Sequence, residues 1–111
     1  KPADFAEKQG AVLKQFDGNY QCLQELQNGG SDAVAIDKAV ALYYVSKGGM
    51  NNLKVVGEPK KLAGSAMAID KGHDDELKAI NQALAELKAD GTYTKLYQKW
   101  FGVDPTAEEL Q

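Results

Sequence analysis

The chain has 111 residues, a net charge of −3 and 43% hydrophobic residues, an ordinary composition for one compact globular unit. All 13 basic residues are lysines; without arginine the chain lacks the side chain that reads phosphates and bases bidentately, so nucleic acid is not expected as a partner. No apolar run approaches the ~20 residues of a membrane span, and the single cysteine, Cys22, excludes an intrachain disulfide.

In chain order, residues 2–9 read as a short helix with a weak stripe of Ala3, Phe5 and Ala6, stopped by Gly10. Residues 11–16 read as a strand, and Asp17-Gly18 as a turn. Asn19 is expected to cap a helix running through Asn28, with Tyr20, Leu23 and Leu26 on one face and Cys22 as a buried structural thiol. Gly29-Gly30 ends it. The run 33–36, Ala-Val-Ala-Ile, lies between Asp32 and Asp37 and reads as a central strand of a parallel sheet. Asp37 begins a helix over 38–47 that carries Val40, Leu42, Tyr43, Tyr44 and Val45. Residues 53–56 and 66–69 read as two further short strands, separated by the break at Gly57-Glu58-Pro59.

The last third reads as helical. His73 or Asp74 caps a helix to Asp90 with Leu77, Ile80, Leu84 and Leu87 in its stripe, and Asp74, Asp75 and Glu76 complement its dipole. Gly91 closes it. Thr92 opens a second helix with Tyr93, Leu96, Tyr97, Trp100 and Phe101, which Gly102 stops. Residues 103–111 read as a loose tail. Strands alternating with helices indicate an α/β layer with a largely parallel sheet.

Chemistry is sparse. One histidine and one cysteine give no clustered metal site, and no phosphate loop, dinucleotide fingerprint or nucleophile elbow is present. His73 sits in a polar helix entry and reads as a solvated surface residue; Asp32 reads as a turn or strand-entry residue. Asp37 stands out because ligands of open α/β sheets bind at the carboxyl ends of the strands. Two roles are open to it, helix cap and ligand contact, and a carboxylate has acceptor sites enough for both.

The segments DAVAIDKAVALYYV (32–45), LKVVGEP (53–59), AMAIDKG (66–72) and ELKAINQALAELKADGTYTKLYQKWFG (76–102) resemble the polar-amino-acid-binding proteins of ABC importers, solute-binding protein family 3. The ending ADGTY followed by KWFG is the most specific part. The resemblance implies a type II periplasmic-binding-protein α/β clamp in which two lobes hold an amino acid. On that pattern residues 1–65 correspond to most of the second lobe, 66–70 to the return hinge strand, and 71–111 to carboxy-terminal helices that pack on the first lobe. A start on Lys1 rather than Met fits a carboxy-terminal fragment of a longer precursor.

The resemblance assigns Asp37 to the ligand's α-ammonium, Ile36 to the neighbourhood of its side chain, and Ser65 to a peripheral contact. An apolar Ile36 weighs against a glutamine- or arginine-type ligand. The family's arginine for the α-carboxylate belongs to the first lobe, in keeping with a chain without arginine. The resemblance further implies an extracytoplasmic receptor, periplasmic or lipid-anchored, that delivers an amino acid to an ABC permease, with no cofactor and no catalysis. The alternatives on the same fold are a dehydratase-like enzyme, for which Asp37 is the visible acid–base candidate, and a sensory-receptor input domain. With the first lobe missing, the apolar stripes of the last two helices are expected to drive a homodimer or a swapped oligomer.

Overall fold

The computed structural model describes residues 2–58 and 65–111. Pro59, the last residue of the expected break, lies outside the described residues. Five helices follow in order: α1 (Pro2–Lys8), α2 (Asn19–Gln27), α3 (Lys38–Ser46), α4 (Asp74–Ala89) and α5 (Thr92–Phe101). The chain divides into two compact units, Lys1–Leu62 and Ala63–Gln111.

In the first unit each helix stops where its sequence stops supplying partners. Gln9 and Gly10 close α1 through bonds to Ala6 O and Glu7 O at 3.1 and 2.9 Å. At the start of α2 the N-cap is Gly18, and Asn19 is already helical. The expected cap role of Asn19 therefore passes to its neighbour: the Gln21 side chain reaches back and accepts the Gly18 N–H at 3.3 Å. Leu23 on α2 is 5% exposed and Met50, just after α3, is 3% exposed; they are the most buried apolar residues of this unit. Cys22, expected to be buried, is half-buried.

The end of α3 shows why two glycines stand there. Lys47 and Gly48 both donate to Tyr43 O, at 2.7 and 2.9 Å, and Met50 donates to Tyr44 O at 3.0 Å. The return needs a left-handed residue, Gly49 at φ 81°. A Cβ at Gly48 would stand 2.7 Å from the Tyr44 Cα, a backbone atom that cannot yield. This turn carries Met50 into the interior. Tyr44 meets Tyr20 at 6.0 Å and Tyr43 at 5.4 Å between ring centroids, joining α3 to α2.

The second unit is a helical hairpin, α4 against α5. Tyr97 is 8% exposed and sits between Tyr93 (6.0 Å) and Phe101 (4.7 Å, edge-on). The expected stripe of α4 is only partly covered. Ile80 and Leu84 are half-buried, whereas Leu77 and Leu87 are 44% and 39% exposed. On α5, Leu96 and Trp100 stand out at 48% each. The segment after α5 is not the loose tail expected: Pro105 is buried and residues 107–110 form a turn.

The four expected strands are absent as strands. Residues 11–16, 33–36, 53–56 and 66–69 are neither helix nor strand, and no strand ladder occurs among the described residues. The expected central strand is only partly covered: Val34 and Ile36 are half-buried, Ala33 and Ala35 exposed. The physical reason is that a strand has no internal hydrogen bonds and exists only against a neighbour. No helix among the described residues is long and apolar enough to cross a membrane.

The α4–α5 junction makes a pH-dependent contribution. Asp90 Oδ1 accepts the Thr92 N–H at 2.8 Å. Hydrogen bonds from the Thr92 side chain and backbone, aided by Lys95, hold its pKa below the usual 3.8. A carboxylate lowered in this way stabilises the folded state above the ordinary carboxylate range, and the contribution disappears as pH falls through the lowered value. An NMR titration is expected to place the Asp90 midpoint below 3.8, and Thr92→Ala, which removes the side-chain donor, to move it upward. A midpoint unaffected by Thr92→Ala would show that the side-chain bond is not the cause.

Candidate functional site

The segment that leads to Asp37 is anchored at its start. Lys14 Nζ donates to Glu25 Oε1 at 3.0 Å and to the Gly30 carbonyl at 2.6 Å. One ammonium thus ties the region before α2, α2 itself and the turn after it. Gln27 Nε2 donates to Asn52 Oδ1 at 2.8 Å, pinning the end of α2 near the chain that leaves α3. Between these ties residues 31–37 run into α3.

Asp37 occupies the N-cap position of α3, at φ −60° and ψ 135°. Its main-chain carbonyl accepts the Ala41 N–H at 3.0 Å, the first bond of the helix. Its side chain makes no capping hydrogen bond and is exposed. The expected double use of this carboxylate is therefore not what the geometry gives. The backbone starts the helix, while the carboxylate makes no bond to it. Ile36 precedes it, half-buried. The pair offers an anionic acceptor next to an apolar surface.

Ser65 is exposed and belongs to the second unit. Ile36 and Asp37 are adjacent in sequence and belong to the first unit. Asp32 is exposed. His73 is exposed at the entry to α4, with Nδ1 3.3 Å from Glu76 Oε1.

Sequence reasoning missed the contacts of the last eight residues. The signal was present: Thr106-Ala-Glu-Glu109 has the Thr-x-x-Glu spacing of a reciprocal cap. Thr106 N–H donates to Glu109 Oε2 at 2.7 Å and Glu109 N–H to Thr106 Oγ1 at 3.3 Å.

Residues 3–103 match the family of bacterial extracellular solute-binding proteins, family 3, and the chain belongs to that family. Among curated proteins it is similar to the L-cystine-binding protein TcyJ of Escherichia coli, 40% identical over 98 residues, covering 88% of this chain and 36% of TcyJ. It is 34% identical over 100 residues to the L-cystine-binding protein TcyA of Bacillus subtilis, covering 90% of this chain and 37% of TcyA. To the putative amino-acid ABC transporter-binding protein PatH of Vibrio harveyi it is 35% identical over 103 residues, covering 90% and 40%. The chain thus spans little more than a third of the length of these relatives. No solved structure matches significantly.

The cap and contact roles of Asp37 separate in a stability measurement. Replacing an N-cap whose side chain is bonded to the helix by alanine costs ~0.5–2 kcal/mol. With no such bond here, Asp37→Ala is expected to lower stability in thermal melting by less than the ~1 kcal/mol typical of a cap. A loss near 2 kcal/mol would identify Asp37 as a cap.

Proposed function

We propose that this chain is the part of an extracytoplasmic amino-acid receptor that presents Asp37 to the ligand's α-ammonium, the receptor delivering its ligand to an ABC permease. The observation that carries the proposal is the exposed Asp37 carboxylate with no bond to its own helix, in a chain of the solute-binding family. A group used only to build α3 would be bonded to α3. A carboxylate held at a helix start and left open suits a cationic group arriving from outside.

Under this proposal residues 1–65 contribute most of one lobe, 66–70 a hinge strand, and 71–111 helices that pack on the other lobe. The segments at 11–16, 33–36, 53–56 and 66–69 pair into a mostly parallel sheet within that larger assembly. Lobe closure removes the ligand from water, and the permease receives it on the outer face of the membrane, with the receptor free in the periplasm or lipid-anchored. The work is binding and release without covalent chemistry. Relatives of this chain include two L-cystine-binding proteins, and cystine is the ligand we assign. Ile36 supports that choice: an apolar neighbour suits a disulfide flanked by methylenes better than an amide or guanidinium, which would lose water without gaining a partner. Ser65 takes a peripheral polar contact.

Self-association belongs to the same proposal. Leu77, Leu87, Leu96 and Trp100 stand 39–48% exposed on α4 and α5, and covering such groups is worth roughly 1.5–3 kcal/mol each at full burial. When the other lobe is not there to cover them, a second copy does so, as a homodimer or by exchange of these helices.

The test is cystine binding by a polypeptide that carries this chain together with its other lobe. Closure buries the ammonium–carboxylate pair, and removing one partner costs about 2–5 kcal/mol. Asp37→Asn is therefore expected to weaken binding in calorimetry by roughly thirty- to several-thousand-fold, with melting unchanged. An Asn variant that binds as tightly as the parent would remove Asp37 from the site.

A further inference from the structure

Residues 104–111 are tied to the α4–α5 hairpin in an ordered way. Gly102, at φ 72°, turns the chain back after α5. Gln98 Nε2 donates to Asp104, Pro105 is buried, and Thr106 and Glu109 cap one another. Leu110 N–H then donates to Thr106 O at 3.2 Å. Two long-range bonds fasten this turn. Tyr97, the most buried apolar side chain of the hairpin, donates its hydroxyl to Glu109 Oε1 at 3.1 Å. Lys88 Nζ on α4 donates to the Gln111 carbonyl at 2.8 Å. Beneath lies a groove of about 380 Å³ lined by Asn81, Leu84, Ala85 and Lys88 of α4, with Leu110 and Gln111 on its other side.

We propose that residues 104–111 are a latched strap that opens and closes over α4 without unfolding the hairpin, with Glu109 as its latch. Both oxygens of Glu109 are engaged, one by the Tyr97 hydroxyl and one by the Thr106 N–H. One carboxylate therefore fastens the strap to α5 and at the same time shapes the turn that presents it. The bonds of Lys88 to Gln111 and of Gln98 to Asp104 are exposed, and Pro105 is the buried residue of the segment. The hairpin has its own cohesion, α4 packing against α5 with Lys88 Nζ of α4 5.5 Å from the centre of the Tyr93 ring of α5. Segments held by few apolar contacts and several exposed hydrogen bonds open locally, at a smaller free energy than the unit they rest on. Opening the strap moves Leu110 and Gln111 off one side of the groove and uncovers the half-buried Leu84.

The test is residue-resolved amide exchange on the 111-residue chain, wild type against Glu109→Ala. In the wild type the Glu109 and Leu110 amides are expected to exchange more slowly than free peptide and faster than the centre of α4. Losing both Glu109 bonds is expected to speed exchange across residues 106–110 at least about fivefold, with α4 changing less than about twofold. Free-peptide exchange at Glu109 and Leu110 in the wild type would overturn the strap. Unchanged exchange in Glu109→Ala would overturn the latch. Equal acceleration of strap and α4 would show the segment to be an inseparable part of the hairpin.

Discussion

Backbone hydrogen bonding that closes within a few residues decides what this chain can build by itself. An α-helix satisfies its N–H and C=O groups four residues away, and all five helices among the described residues do so. A strand can satisfy nothing internally, and a parallel strand needs a partner delivered by a crossover of a dozen or more residues. The helices therefore stand complete while the apolar runs between them remain unpaired. The sparse interior follows: Leu23 and Met50 in one unit and Tyr97 in the other are the deeply buried apolar residues among those described. A sheet is what would give α2 and α3 a broad surface to rest on.

The helices were legible because their signals are local. The period of Tyr20, Leu23 and Leu26, and that of Tyr93, Leu96, Tyr97 and Trp100, marks helical faces without knowledge of anything distant. The glycines after Ala89 and Phe101 mark the ends, and Gly91 and Gly102 have the positive φ that such stops require. Cap identity was less legible. Asn19 and Gly18 compete for the same position, and a Gln21 side chain reaching back to the Gly18 N–H decided it. The expected strands rest on apolar runs such as 33–36, and a run states only that burial is wanted, not that a partner is available. The tail reads as loose from its polar composition, whereas its Thr-x-x-Glu spacing is the signal of the reciprocal cap that forms.

Of the candidate site, the sequence could place Asp37 at the start of a helix and Ile36 before it. It could not tell which acceptor of Asp37 the helix would use. The structure assigns the helix to the main-chain carbonyl and leaves the carboxylate without a capping bond. That division leaves the side chain of a residue in a structural position unused by its own helix. Ser65 shows the limit: its role follows from resemblance alone, with no observed contact behind it.

Under the proposed function this chain supplies one wall of an amino-acid clamp, an acceptor for the ammonium and an apolar neighbour, while the carboxylate end of the ligand is held by the other lobe. Charge-assisted hydrogen bonds contribute roughly 1.5–3 kcal/mol each, which one wall cannot raise above the cost of ordering the ligand. The most direct measurement is calorimetry of the 111-residue chain against cystine and the standard amino acids. One wall alone is expected to bind nothing tighter than about millimolar, near −4 kcal/mol; a micromolar ligand would show that the chain holds a complete site and would contradict the proposed clamp.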